Sequence, residues 1–282
     1  MSFEERMKRE ATKITEGLPG AEGPVFDRDG RLFMVWPGEG LVLEILEGGG
    51  KREVCNTAGI PAGLQVDPEN VIWIADMKRG ILKTTREGEL APVVETFEGS
   101  PIRGCNDLYF DGVGNLYFTA PAGSNADEPV GEVFVLLPDG DARRLDDRYK
   151  FSNGLAVTGD DRTLIVAETY ARSLWAYDVS DPGTAKNKGL FARLPGDDEG
   201  GPDGMDFDEA GNLLVAHWAG SSVDVFTPGG ELLERVEMPF EHATNVHFGG
   251  EGNAWVYVTA GTPGELWKFK WDRPGQKQYC SR

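Results

Sequence analysis

The sequence contains few of the residues that build disulfide frameworks or soft-metal sites. Its 282 residues include only three cysteines and three histidines, too few for a disulfide-rich domain or an ordinary zinc finger. The cysteines are Cys55, Cys105 and Cys280, and their wide spacing fits neither arrangement. We expect the first two to be buried as small hydrophobic residues and the third to be a thiol in the tail.

Basic residues and long apolar runs are also scarce. The chain has 28 Lys and Arg against 47 Asp and Glu, a formal net charge of −19. A surface this negative repels phosphate backbones and anionic lipids, so we expect no nucleic-acid or membrane partner. The first ten residues lack the apolar core of a signal peptide, and no later run reaches membrane length. These absences predict a cytoplasmic protein that acts on a small molecule, and they leave its oligomeric state open.

What the sequence does contain is one pattern repeated six times. Each copy is a short alternating strand, a polar turn and a second apolar strand, as in residues 202–218. Two such strands around a tight turn predict a β-hairpin. A second pair of strand-like segments follows each copy, so that each unit has about four strands over roughly 40–50 residues, which is typical of a propeller blade.

The six units predict an all-β fold, a six-bladed β-propeller. They account for nearly the whole length, and no linker or convincing helical pattern separates them. We therefore expect a single domain over residues 18–282, closed by pairing N-terminal and C-terminal strands in one blade. Residues 1–17 are expected to be a short N-terminal lead-in that is helical or frayed.

Aligning the copies on their turns places one residue of each copy in a single column. In a propeller the first strand of each blade lines the central channel, so equivalent positions form a ring around the axis. This aligned column stands immediately before those strands, and its side chains should converge at one mouth of the channel. Its members are Glu22, Ala62, Asn106, Asn153, Asp203 and Thr244.

Four members of the aligned column carry oxygen donors, namely Glu22, Asn106, Asn153 and Asp203. Each alone is more often a turn or cap residue than a ligand. Two carboxylates and two amide oxygens at one level, however, are what a hard divalent cation prefers, and without a cation the carboxylates would repel each other. The column therefore predicts a site for one divalent cation, with calcium expected first and Zn, Mn, Mg or Fe as alternatives. The two remaining members are small and leave room for water or substrate.

Several ordered motifs resemble those of the gluconolactonase family, which includes senescence marker protein (regucalcin). The similarity runs from about Leu18 to Trp267, and the motifs are Glu22-Gly-Pro, Asn106-Asp-Leu, Ser152-Asn-Gly-Leu-Ala, Pro202-Asp-Gly-Met, Leu213-Leu-Val-Ala-His-Trp and Thr244-Asn-Val-His-Phe-Gly-Gly. The resemblance implies a six-bladed propeller with an axial divalent cation, and hydrolysis of sugar lactones. It implies Glu22, Asn153 and Asp203 as direct metal ligands. It also implies that Asn106 faces the metal or its bound substrate and that Asp203 is the general base.

The resemblance does not determine the substrate. The related diisopropyl-fluorophosphatase enzymes also use a Glu, two Asn and one Asp around calcium, and residues 59–64 and 71–76 resemble strictosidine-synthase-like propellers. We expect a metal-dependent lactonase that opens the lactone of a sugar acid. The alternatives are an ester or phosphotriester hydrolase on the same scaffold, and a non-catalytic propeller whose cation is structural.

Two further features could contact substrate. Arg103 could fix a substrate carboxylate or hydroxyl at the mouth, or it could form a surface salt bridge. Similar sugar lactonases have this Arg two residues before the Asn, whereas here Gly104 and Cys105 intervene. The loop at residues 120–130 is either a lid or a solvated connection.

The histidines and tryptophans give weaker indications. No two histidines have metal-ligand spacing, so a Ser-His-Asp hydrolase is poorly supported. His217 follows an inner-strand pattern, and it either is buried with a hydrogen bond or reaches the channel wall. Trp36 and Trp218 are the candidates for stacking on a sugar.

Overall fold

Nearly all of the regular structure is extended backbone. The computed structural model describes residues 9–196 and 200–282, and within these ranges the chain forms 26 β-strands and short 3₁₀ turns without an α-helix. The expected all-β class is confirmed. Across the same ranges, no helix combines the length and the apolar character that a membrane crossing requires.

The first strand, β1, spans Ala11–Glu16 and belongs to the last sheet of the molecule. Sheet I follows and contains β2 (Glu22–Phe26), β3 (Leu32–Trp36), β4 (Leu41–Ile45) and β5 (Lys51–Asn56). Sheet II contains β6 (Pro61–Val66), β7 (Ile72–Asp76), β8 (Gly80–Thr84) and β9 (Leu90–Val94). A small ribbon then pairs β10 (Thr96–Phe97) with β11 (Ser100–Pro101).

The next two sheets repeat the same antiparallel order. Sheet III contains β12 (Leu108–Phe110), β13 (Leu116–Ala120), β14 (Gly131–Leu136) and β15 (Ala142–Tyr149). Sheet IV contains β16 (Ser152–Val157), β17 (Thr163–Glu168), β18 (Ser173–Asp178) and β19 (Lys186–Arg193).

The last eight strands form one continuous hydrogen-bonded sheet. Its first half, called sheet V here, contains β20 (Gly201–Phe207), β21 (Leu213–Trp218), β22 (Ser222–Phe226) and β23 (Leu232–Glu237). Its second half, sheet VI, contains β24 (His242–Gly249), β25 (Trp255–Thr262), β26 (Glu265–Lys270) and β1. A single residue pair, Trp218 with His242, joins the two halves. Sheets V and VI are therefore two four-stranded units whose strands pair with each other at one corner only.

Strand β1 corrects the expectation for the N-terminal lead-in. Residues Ala11–Glu16 pair antiparallel with β26 and form the outer strand of sheet VI, and are neither helical nor frayed. Most β1 side chains are exposed or partly exposed, so the sequence lacks the alternation that predicts a strand. The expected pairing of N-terminal and C-terminal strands in one sheet is confirmed. Residues 1–8 of the predicted lead-in lie outside the described residues.

The first strands of the six sheets contact one another in cyclic order. Strand β2 packs on β6 and β24, β12 packs on β6 and β16, and β20 packs on β16 and β24. These strands are almost entirely buried, whereas fourth strands such as β5 and β15 are largely exposed. Each sheet therefore runs outward from a closed central ring. The apolar core lies between neighbouring sheets, as where Val133, Leu155 and Val215 share one cluster.

The chain after β26 crosses the far ends of the first strands. Gln276 Nε2 donates hydrogen bonds to the Tyr109 hydroxyl at 3.2 Å and to the Val157 carbonyl at 2.9 Å. Gln278 Nε2 donates to Asp206 Oδ1 at 2.9 Å. Residues 272–282, the C-terminal tail, therefore connect sheets III, IV and V at the end opposite the aligned column.

The three cysteines are free thiols, and all are buried. This confirms the expectation for Cys55 and Cys105. Cys280 lies in the C-terminal tail as expected, but it packs into the core between sheets I and II.

Candidate metal centre

Irregular pairing of the first strands turns the aligned column toward a common space. The first strand has one extra residue relative to the second strand, a β-bulge, between Ser152 and Leu155 in sheet IV. Sheet V has the same irregularity between Pro202 and Met205. The same shift follows Glu22 in sheet I. In sheet III, Asn106 and Asp107 lie opposite Thr119, with backbone hydrogen bonds of 2.9 and 3.0 Å. β-Bulges of this kind redirect side chains out of the ladder.

A cavity of about 280 Å³ lies at this end of the ring of first strands. Four oxygen-bearing residues line it together, and each comes from a different sheet. We call them the oxygen cluster, and they are Glu22, Asn106, Asn153 and Asp203. The structure thus brings together all four residues named from the sequence as metal ligands.

The two small members of the aligned column lie outside the lining of this cavity. Thr244 turns its hydroxyl away, donating a hydrogen bond to the Ala21 carbonyl at 2.9 Å. Ala62 is buried in sheet II.

The Asn153 amide is held so that its oxygen remains available to a ligand. Its Nδ2 donates to Thr169 Oγ1 at 3.0 Å, and the Thr169 hydroxyl donates to the Pro202 carbonyl at 2.8 Å. Asn153 Oδ1 is buried and accepts no hydrogen bond from the described residues. Leaving a buried acceptor unpaired costs about 1–3 kcal/mol. A cation would provide the missing partner, so this atom fits a metal site.

Three acidic side chains lie close together in and beside the oxygen cluster. Burial raises the pKa of Glu22 well above its usual range, and the nearby carboxylates of Asp203 and Asp107 raise it further. Burial also raises the pKa of Asp203, with a smaller contribution from the charge of Asp107. For Asp107 itself, burial raises the pKa to about 7. Like charges brought together away from water favour a positive partner.

All four candidate ligands of the oxygen cluster would bind a cation through oxygen atoms. Across residues 9–196 and 200–282, no group of three or more His, Cys, Asp or Glu side chains is arranged to hold a metal ion. A cation in the cavity would therefore depend on the two amide oxygens as well as the two carboxylates. That donor set suits a hard cation better than a soft one.

Sequence reasoning missed Asp107 and Asn245, which lie one position beyond the aligned column. At this level the other four sheets have glycine, namely Gly23, Gly63, Gly154 and Gly204. A Cβ on Gly204 would lie 2.1 Å from Asn245 Cγ, and one on Gly63 would lie 2.8 Å from Asp107 Oδ1. The glycines therefore leave the space that the Asp and Asn side chains occupy. In the aligned repeats this position is glycine in four copies and polar in two, and that difference was a sequence signal that could have identified both residues.

The rest of the cavity lining is mostly aromatic. It consists of Phe151, Thr169, Tyr170 and Trp218. The Phe151 and Tyr170 rings meet edge to face with centroids 5.7 Å apart, and Trp218 packs on His242 with centroids 4.3 Å apart. Trp218 was a sequence candidate for stacking on substrate, and it does line the cavity. The other candidate, Trp36, does not.

Two other sequence candidates lie outside the lining of the cavity. Arg103 is exposed and is not a lining residue, so a role in substrate binding stays a prediction. The loop at residues 120–130 contacts one lining residue, because Ser124 Oγ accepts a hydrogen bond from the Phe151 backbone N–H at 3.0 Å. That contact does not decide between a lid and a solvated connection.

His217 belongs to a buried network inside sheet V. It is fully buried, and its Nδ1 lies 2.8 Å from Asp224 Oδ2. Arg235 Nε donates to the other oxygen of the same carboxylate at 2.9 Å. Of the two alternatives for this residue, burial with a hydrogen-bonded partner is therefore confirmed.

A family model covers most of the chain. The model described as the SMP-30/gluconolactonase/LRE-like region matches residues 20–262. The matched range includes the whole oxygen cluster and all the residues that line the cavity.

Individual proteins are similar over nearly the full length. The diisopropyl-fluorophosphatase of Loligo vulgaris is 41% identical over 297 aligned residues, which cover 95% of this chain and 94% of that protein. The gluconolactonase of Zymomonas mobilis is 29% identical, with 88% of this chain and 78% of that protein covered. A solved structure of a gluconolactonase from Xanthomonas campestris has a TM-score of 0.82 at 24% identity, covering 93% of this chain and 89% of that one. This likeness shows the fold.

Proposed function

Since the chain belongs to the SMP-30/gluconolactonase/LRE-like family, we propose that it is a divalent-metal-dependent hydrolase that opens a lactone ring. The observation that carries the proposal is the oxygen cluster, in which two carboxylates and two amides from four sheets line one cavity. The unpartnered oxygen of Asn153 supports a cation there in particular. The gluconolactonase of Zymomonas mobilis supports the lactone as substrate.

We further infer that the six sheets are the six blades of one propeller. The cyclic contact of the first strands and the pairing of β1 with β26 support this count. The single residue pair that links the strands of sheets V and VI is then a local join between two blades. On this assignment residues 18–282 form one domain, with β1 completing its last blade.

The oxygen cluster would hold the cation through Glu22, Asn153 and Asp203, with Asn106 facing the cation or the substrate. An all-oxygen donor set with two carboxylates favours calcium, which accepts both carboxylate and amide oxygens. Such a cation supplies Lewis-acid stabilisation of the negative charge that develops on an acyl oxygen.

The chain's own residues would handle the proton and the orientation of the substrate. Asp203, as the general base, takes a proton from water as that water adds to the acyl carbon. The bond between the acyl carbon and the ring oxygen then breaks, the ring oxygen receives the proton, and the product is an open-chain hydroxy acid. Asn106 is the candidate to orient the lactone, and Arg103 is a second candidate at the mouth.

A second candidate function is hydrolysis of a phosphotriester or phosphorofluoridate. The specific observation that favours it is the 41% identity with diisopropyl-fluorophosphatase over nearly the whole of both chains. Here water adds to phosphorus, and the leaving group departs as an alcohol or as fluoride with release of a proton. The same oxygen cluster and the same base would serve this reaction.

The test measures hydrolysis of a panel of lactones, esters and a phosphotriester through the protons that the reaction releases. Each assay is run without chelator, with chelator, and with chelator followed by addition of calcium, magnesium, manganese or zinc. We expect turnover that chelator abolishes and one cation restores, together with about one bound cation per chain. The Asp203→Asn variant should lose turnover while keeping its unfolding temperature, whereas Asp147→Asn, at an exposed residue that does not line the cavity, should retain both. Activity that is indifferent to chelator would contradict metal-dependent hydrolysis, whereas a bound cation without turnover on any substrate would favour a non-catalytic protein with a structural cation.

A further inference from the structure

The cavity combines a polar floor with an aromatic wall. Its floor is the oxygen cluster, and the remaining lining residues are Phe151, Thr169, Tyr170 and Trp218. Three of these four wall residues present rings. A substrate whose acyl group reached the floor would therefore lie with its remaining atoms against aromatic faces and edges.

The wall offers few hydrogen bonds to a substrate. The Thr169 hydroxyl donates its proton to the Pro202 carbonyl at 2.8 Å and accepts from Asn153 Nδ2 at 3.0 Å. The other polar groups of these four side chains are the Tyr170 hydroxyl, on a residue that is 48% exposed, and the Trp218 indole N–H, which is a single donor. A sugar-acid lactone carries several hydroxyls, and each one buried without a partner opposes binding.

The rings are held in place by contacts outside the cavity. Backbone hydrogen bonds join Thr169 to Phe151 at 3.0 Å and Tyr170 to Lys150 at 3.2 Å, which ties together the two segments that carry Phe151 and Tyr170. The indole of Trp218 lies against His242, at the one residue pair that joins sheets V and VI. The wall is therefore formed before any substrate arrives, which lowers the entropic cost of binding.

On the basis of the function proposed above, we propose that the substrate carries an apolar ring or alkyl group that packs between Phe151 and Trp218. Its acyl carbon then faces the oxygen cluster. The substrate class is an aryl- or alkyl-substituted lactone, in preference to the polyhydroxylated lactone of a sugar acid. Phe151 and Trp218 are the residues that determine this specificity, through contact with the part of the substrate that does not react.

The kinetic test compares two δ-lactones that both release a secondary alcohol, 5-phenyl-δ-valerolactone and glucono-1,5-lactone. Each kcat/KM is divided by the rate constant of hydroxide-catalysed hydrolysis, so that intrinsic reactivity cancels. We expect the normalised value to be at least tenfold higher for the phenyl lactone. Trp218→Ala should lower the normalised kcat/KM about tenfold for the phenyl lactone and less than twofold for gluconolactone. Trp218→Phe should keep most of the normalised kcat/KM that Trp218→Ala loses.

A matched control is Trp255→Ala, which removes an indole that does not line the cavity. It should leave the normalised ratio between the two substrates unchanged. A similar change of the ratio in Trp255→Ala and Trp218→Ala would contradict the assignment of specificity to the cavity wall.

A binding measurement separates this inference from the proposed reaction. The corresponding lactams, 6-phenyl-2-piperidone and gluconolactam, resist hydrolysis, and calorimetry can compare their affinities with calcium present. We expect tighter binding of the phenyl lactam, also in the Asp203→Asn variant that does not turn over. Tighter binding of gluconolactam, no binding of either lactam, or a preference for gluconolactone in the kinetic test would overturn the inference while chelator-sensitive hydrolysis still stood. Loss of all hydrolysis with retained phenyl-lactam binding would instead reject the proposed reaction.

Discussion

At the scale of single residues, Thr169 links the amide proposed to bind the cation to the strand that carries the proposed base. Its hydroxyl accepts from Asn153 Nδ2 and donates to the carbonyl of Pro202, the residue before Asp203. Neither contact uses Asn153 Oδ1, so both orient the amide while its oxygen keeps no partner among the described residues. Partners of this kind fix the ligand's orientation and commonly change metal affinity by about 10–100-fold when removed.

We therefore expect Thr169→Val to weaken cation binding by about 10–100-fold while the fold is retained. Valine keeps the shape of threonine but leaves Asn153 free to rotate its amide nitrogen into the cavity. Titration calorimetry with calcium measures the affinity, and thermal unfolding in chelator measures the stability of the fold.

The matched control is Thr84→Val, at a buried threonine in the third strand of sheet II. It should change calcium affinity less than twofold. Equal affinities for the Thr169 and Thr84 variants would show that the Asn153 orientation does not depend on this hydroxyl.

The positions of the oxygen cluster could be predicted because they share one place in a repeated pattern. Turn-to-turn spacing aligned Glu22, Asn106 and Asn153 without any knowledge of their contacts. Phe151 and Tyr170 could not be predicted in the same way. They lie in connections between strands, outside the aligned strand pattern, and only tertiary contacts bring them to the cavity.

At the scale of elements, the bulged first strands rely on glycine where neighbouring strands come closest. A Cβ on Gly154 would lie 2.2 Å from the Asp203 carbonyl oxygen, and one on Gly204 would lie 2.1 Å from Asn245 Cγ. Real Cβ atoms do not approach so closely, so a larger residue must displace the next strand or its side chain. These glycines therefore set the spacing of the ring on which the oxygen cluster depends.

We expect Gly204→Ala to lower the free energy of unfolding by about 1–3 kcal/mol, because overpacking of a filled interior forces its neighbours to move. It should also weaken calcium binding, since Asp203 precedes the substituted residue. Urea unfolding followed by tryptophan fluorescence measures the first effect, and calorimetry measures the second.

Gly189→Ala in β19 serves as the control, because its added Cβ would meet only the Asn187 carbonyl oxygen, at 3.8 Å. A change within about 0.5 kcal/mol is expected there. If the two glycine variants unfolded at the same urea concentration, crowding at Gly204 would not be limiting.

The first strands could be predicted more reliably than the outer ones. Strands such as β16 and β20 are buried on both faces, and each carries the polar residue followed by glycine that recurs among the repeats. Strand β1 is an outer strand with mainly exposed side chains, and only its pairing with β26 makes it a strand. Tertiary context decides such a segment, so local patterning alone could not predict it.

At the scale of the whole molecule, Arg9 anchors the start of the described chain across sheets V and VI. Its guanidinium makes two hydrogen bonds to Glu234, at 2.9 and 3.0 Å, and also contacts Asp272. It lies 4.1 Å from the centre of the Trp271 ring. The Arg9 and Glu234 side chains are each only 12% exposed. The contacts hold the N-terminal strand where it completes sheet VI.

We expect Arg9→Ala to lower the free energy of unfolding by about 1–3 kcal/mol, through loss of charged hydrogen bonds and of packing on Trp271. Urea unfolding is the measurement. For comparison, Arg143→Ala removes an exposed pair with Asp141 and should change stability by less than about 1 kcal/mol. Equal, small changes in both variants would mean that Arg9 does not contribute to closure of the molecule.

The C-terminal tail limits the routes by which a substrate can enter and a product can leave. Its glutamines bridge the far ends of the first strands, and a cavity among these strands beyond the oxygen cluster measures only about 10 Å³. The tail therefore closes the far end of the ring, and we infer that the cavity opens at the end where the oxygen cluster lies. Under the proposed function, the open-chain hydroxy acid would leave through the same opening by which the next lactone enters, so we expect the product to act as a competitive inhibitor, raising KM and leaving kcat unchanged in initial-rate assays.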